Sequence, residues 1–168
     1  MINFTEPVIR GILRIVMQVG GWFLGALAAH VQLGYARYPD VAVIPNVAYS
    51  TGEAFMIEYM GELMGLLLVA TFMHTNVQRP QAALFLGAYT WGIQAISHPI
   101  SGASMNILHW LSANTVGSLE NSTFYWPGDC WIYAISSLTA LLTAVVLLSL
   151  RKWAVHYVRE PGAYEKIE

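Results

Sequence analysis

The sequence predicts an all-α membrane protein with four transmembrane helices and one re-entrant half-helix. Three observations carry this prediction. Of 168 residues 56% are hydrophobic and only 11% charged, the apolar residues gather in four long stretches, and a fifth apolar run is too short to cross a bilayer. A soluble domain of this length could not bury so much apolar surface.

A hydrocarbon core about 30 Å thick takes about 20 mainly apolar residues per helix. Stretches 8–33, 54–74, 81–100 and 130–150 approach that length. The first reads as a retained span, because Arg10 and Arg14 stand inside it and it runs on through Gly20, Gly21 and Gly25 without an A-x-A site. Residues 34–52 hold Pro39 and Pro45 and form a surface loop, and residues 75–80 form a tight turn ending at Pro80. Between the third and fourth spans a short apolar run, about 106–113, is flanked by polar residues on both sides, which makes it the half-helix. Residues 156–168 are expected as a polar surface tail.

Arg10, Arg14, Arg79, Arg151, Lys152, Arg159 and Lys166 fall on one side of the membrane or at its border, with only Arg37 opposite. The positive-inside bias therefore puts both termini on the positively charged side. The Asn121-Ser122-Thr123 sequon falls on the other side, where such triplets are common by chance. Trp126, Trp131, Trp153 and Tyr157 are placed as interfacial anchors. A net charge of −2 with no basic tract gives nucleic-acid binding no support. The single cysteine, Cys130, forms no internal disulfide and has no CxxC partner for zinc. The chain is read as a non-enzyme without a cofactor, bound lipids aside.

The segment His98-Pro99-Ile100-Ser101-Gly102-Ala103-Ser104-Met105-Asn106 resembles the loop of the aquaporin family that leads into its second re-entrant half-helix. Its neighbours agree: Glu58 followed by Gly61 is similar to the start of the family's fourth helix. Gln18, Gly21 and Gly25 are similar to the glutamine and small residues of the third, and Trp131-Ile132-Tyr133 with Ser136, Ser137 and Ala140 to the sixth. The resemblance covers residues 8 to about 150 and implies a family fold counted from its third helix. The first two helices and first re-entrant loop have no counterpart in this sequence.

The resemblance also implies that the pore chemistry is altered. The signature Asn-Pro-Ala-Arg is matched by Asn106-Ile107-Leu108-His109, so the arginine of the outer constriction becomes His109. Twelve residues before Asn106, where water-selective members place a histidine, stands Gln94. Ile107 lacks the fixed φ of a proline in the first helical turn, although Asn106 can cap the half-helix. Each half of the family's pore supplies one such motif at the bilayer midplane, and this sequence holds one degenerate copy.

Glu58 is expected to hold the re-entrant loop by accepting hydrogen bonds from its backbone, against the alternative of a proton-relay carboxylate. Glu62 lies one turn on, where the family has threonine. Two such carboxylates do not both ionise readily in low dielectric, so Glu62 is either protonated or paired with a cation from another chain; it is read as a partner contact, together with the stripe Met56, Met60 and Met64. His30, His74, His98, His109 and His156 raise haem ligation as an alternative, since a membrane anchor needs two imidazoles at one depth; interfacial hydrogen bonding is the commoner fate of such residues.

The expected role follows from the re-entrant segment. Non-helical backbone at membrane depth needs protein or a water-filled cavity over it, and four spans cover it poorly. The reading is a non-conducting accessory subunit of a hetero-oligomeric membrane complex, with other membrane subunits and lipids as partners. Respiratory and ATP synthase complexes of the mitochondrial inner membrane are the hosts considered. The alternatives are a water or small-solute channel assembled from half-length chains, which the charge asymmetry opposes, and the haem-binding anchor.

Overall fold

The computed structural model describes residues 8–33, 45–73, 75, 77–121 and 128–159. The sequon beyond Asn121, His74, Trp126, most of the loop 34–52, the last nine residues and the side chains of His156 and Tyr157 lie outside them. Among the described residues there are five α-helices and no strand: α1 Val8–Leu33, α2 Thr51–Met73, α3 Arg79–Ser101, α4 Ile107–Asn121 and α5 Trp131–Arg159.

By length and composition α1, α2 and α5 can each cross a membrane, over Ile9–Gln32, Thr51–Met73 and Trp131–Val155. α3 has the same 23 residues as α2, but Thr90, Gln94, Ser97, His98 and Ser101 keep it below the apolar standard the other three meet. Its place as the fourth expected span rests on its packing along α2. α4 extends over 15 residues, well past the eight of the expected half-helix; at 1.5 Å per residue that is about 22 Å, still short of the bilayer core. α5 continues to Arg159, so helical backbone occupies residues 156–159 where a tail is expected.

Local chemistry fixes the helix ends. Ser50 and Glu53 form a reciprocal capping box: Glu53 Oε2 accepts from Ser50 N–H at 2.8 Å, and Ser50 Oγ accepts from Glu53 N–H at 3.3 Å. Substituting Ser50→Ala is expected to cost about 1 kcal/mol, read as a lower melting temperature in detergent, and an unchanged transition would show the box to be idle. α3 has proline in its first turn and ends in a left-handed Gly102 (φ 80°) whose N–H donates to the His98 carbonyl at 3.1 Å.

α2 is the centre of the assembly, with α3 on one flank and α5 on the other, and no Cα of α3 lies within 8 Å of one in α5. The α2–α5 seam is closed by Leu63, Ala140 and Ala144, whose small partners let the helices approach, and by a Tyr59 hydroxyl donating to Thr143 Oγ1 at 3.2 Å. Against α3, the Tyr89 hydroxyl donates to the Gly61 carbonyl. A Cβ on Gly61 would stand 2.9 Å from Met105 Sδ and 3.2 Å from Ile93 Cγ1. Gly61→Ala is therefore absorbed by the flexible end of Met105. Gly61→Val is expected to displace it at a cost of about 2 kcal/mol, with a matching drop in unfolding midpoint; equal midpoints for the two variants would contradict this packing.

α1 stands apart. Its described residues pack on α4 alone, and none of its apolar stretch is buried.

Candidate functional site

The site is the turn between α3 and α4 and the side chains that hold it. Ala103 (φ 56°) and Met105 (φ 45°) both lie in the left-handed region, as does Gly102. Such conformations persist in non-glycine residues only where the surroundings impose them. Left-handed backbone in a turn can aim neighbouring N–H groups toward one point, forming a concavity that suits an anion.

The anion is Glu58. Its Oε1 accepts from the Ser104 N–H at 3.0 Å and from the Ser101 hydroxyl at 2.5 Å, while Oε2 accepts from the Met105 N–H. A carboxylate offers acceptors only and the three groups facing it are donors, so charge and hydrogen bonding agree. Glu58 is fully buried and lies seven residues into α2, about 10 Å along the helix axis. It thus pins the turn well below the end of the bundle.

Three further groups complete the frame. The Tyr133 hydroxyl of α5 donates to the Ser101 carbonyl at 2.6 Å, and the Tyr133 ring stacks on Trp110 of α4 at 5.6 Å. Both side chains are essentially inaccessible to solvent. At the surface, Asn46 N–H donates to the Ile100 carbonyl and Asn46 Nδ2 to the Pro99 carbonyl, each at 2.9 Å. Asn46 thereby serves carbonyls that the end of a helix leaves without intrahelical partners.

Asn106 caps α4: its Oδ1 accepts from the Leu108 N–H at 2.8 Å. Ile107 and Leu108 begin the helix half-buried. His109 is stacked on Trp22 of α1, centroids 4.9 Å apart and planes 17° from parallel, with Nδ1 3.2 Å from the Ser104 carbonyl. The imidazole is held between the turn and α1 and does not project alone. Gln94 is half-buried on α3.

The residues read together as a partner contact separate in space. Glu62 is half-buried between the α3 and α5 flanks, whereas Met56, Met60 and Met64 point outward on another face of α2 and are 52%, 43% and 52% exposed. The histidines separate as well: His98 is exposed near the end of α3, His30 is half-buried in the last turn of α1, and the ring partner of His109 is an indole. Among the described residues no three of His, Cys, Asp and Glu gather around a common point that could hold a metal. Trp131 and Trp153, 46% and 58% exposed, face outward.

Trp22, Trp110, Tyr89 and Asn46 have structural parts in this frame that sequence reasoning did not assign. Trp110 sits inside the short apolar run next to His109, where a large aromatic ahead of small residues marks a packing anchor. Trp22 is 87 positions from His109, and no local pattern signals that pairing.

Comparisons with curated proteins and with solved structures give no match. The comparison with protein families matches residues 2–147 to Major intrinsic protein, a family whose members are membrane channels and not enzymes. Most of the chain lies within that match, so the helices around the Glu58 clamp are those of a membrane protein that belongs to the major intrinsic protein family.

Proposed function

We propose that the chain is a non-conducting, aquaporin-like structural subunit of a larger membrane assembly. The observation that carries this is the division between what is tied together and what is blocked. The Glu58 clamp on the turn is complete, whereas the histidine at the constriction position is packed against Trp22 and Ser104. A pore needs donors aimed into an open lumen, and His109 is committed to its neighbours instead. The outward faces of α1 and of the Met56, Met60 and Met64 stripe offer apolar surface to neighbouring subunits or lipid. A mitochondrial inner-membrane host remains one candidate, to be decided by fractionation.

Stopped-flow shrinkage of proteoliposomes tests the reading. The purified chain should leave water and glycerol flux at the level of protein-free vesicles, and should migrate in mild detergent with other subunits. Flux tenfold or more above the empty-vesicle level, or recovery as a lone stable monomer, would overturn it. The second reading is a water or small-solute channel assembled from half-length chains, which the channel character of the family raises, and the same flux measurement decides between them.

A further inference from the structure

Glu62 differs from its neighbour Glu58 in one respect. Three donors of the turn, the Ser101 hydroxyl and the Ser104 and Met105 N–H groups, converge on Glu58, and among the described residues Glu62 Oε2 is desolvated without a hydrogen-bond partner. The Ser137 hydroxyl of α5 lies beside this carboxylate and is itself desolvated without a hydrogen bond of good geometry. A carboxylate at membrane depth is costly unless paired, and such residues face a cavity or a partner.

Its position gives the direction of approach. Glu62 lies eleven residues into α2, about 16 Å along the axis and so near mid-bilayer. On the helix it falls between Gly65, which faces α3, and Tyr59 and Leu66, which face α5. No Cα of α3 lies within 8 Å of one in α5, so neither backbone closes over Glu62, and the residue is only half-buried.

We infer that Glu62 is the docking point for a cationic side chain, lysine or arginine, carried near mid-depth by a neighbouring transmembrane helix. Charge complementarity selects this occupant: the site offers a carboxylate oxygen and a hydroxyl oxygen and asks for donors, which an ammonium or guanidinium supplies in number. The long aliphatic stem of either side chain can lie along apolar surface while the head reaches Glu62. The inference rests on the structural-subunit reading and names the chemistry of its partner.

The test uses the full chain in liposomes, fluorescently labelled, and a synthetic 23-residue Leu/Ala helix carrying one central lysine, with leucine or glutamate at that position as controls. Energy transfer should show the lysine helix binding about tenfold more tightly than the leucine helix, with the glutamate helix weakest. With Glu62→Gln the preference should vanish. Equal binding of the lysine and leucine helices to the unaltered chain would mean that Glu62 holds only a proton, and a preference that survives Glu62→Gln would place the contact elsewhere; either result overturns the inference. The peptide series on the unaltered chain decides the matter even where the variant misfolds. Equal binding by a chain that passes no water defeats this inference alone, whereas water flux defeats the structural-subunit reading whatever the peptides do.

Discussion

Substituting Glu58→Gln lowers the stability of the chain by about 3 kcal/mol, the largest loss expected from a single near-isosteric change. The amide keeps one acceptor and puts an NH2 where the carboxylate received a donor, so one of Ser101 Oγ, Ser104 N and Met105 N loses its partner and meets a like group. A hydrogen bond to a charged acceptor contributes about 1.5–3 kcal/mol, and an orphaned buried donor adds its own desolvation cost. The turn has a second reason to fail, since Ala103 and Met105 occupy left-handed backbone that persists only under external hold. Glu58→Ala strips all three donors and should cost more. Unfolding in detergent followed by near-ultraviolet circular dichroism gives the measurement; a Glu58→Gln protein as stable as the parent would show that the clamp contributes nothing.

Trp110→Ala should cost about 3–5 kcal/mol, the range found when a buried large aromatic is truncated. Trp110 is 2% exposed and packs with Tyr133, Ala113, Leu111 and Cys130 at the junction of α4 with α5. Its loss opens a cavity beside the residue that bonds the Ser101 carbonyl, and the damage should reach the turn. Trp110→Phe, which keeps a ring on Tyr133, should recover more than half of the loss. Equal destabilisation by the two variants would argue against stacking as the source.

The fold was largely readable from the sequence because its signals are local. Long apolar stretches give α1, α2 and α5 directly, and a run too short to span gives α4. α4 runs past its expected end because Asn114, Thr115, Ser118 and Glu120, though polar, are compatible with helix. These residues continue a helix whose early turns carry buried Ser112 and Asn114. The capping box at Ser50 and Glu53 is a plain S-x-x-E pattern, and it starts α2 three residues before the apolar stretch begins at 54. The site divides in the same way. Asn106 as a cap follows from residue type, whereas the Trp22 stack, the Tyr89 bond to Gly61 and the Asn46 bonds to Pro99 and Ile100 link residues 28 to 87 positions apart. Contacts at such separation are settled by three-dimensional packing, which no periodicity records.

The isolation of α1 has a bearing on how the molecule is made. Its only protein neighbour among the described helices begins at Ile107, 74 residues after Leu33 (107 − 33), so at 5–20 residues per second the ribosome needs about 4–15 s to deliver it. Throughout that interval the first helix lacks that partner. Ile9, Ile12, Leu13, Val16 and Met17 give it exposed apolar surface beside the polar stripe of Arg10, Arg14 and Gln18, whereas the more polar α3 follows α2 after five residues and can enter the bilayer leaning on a helix already made.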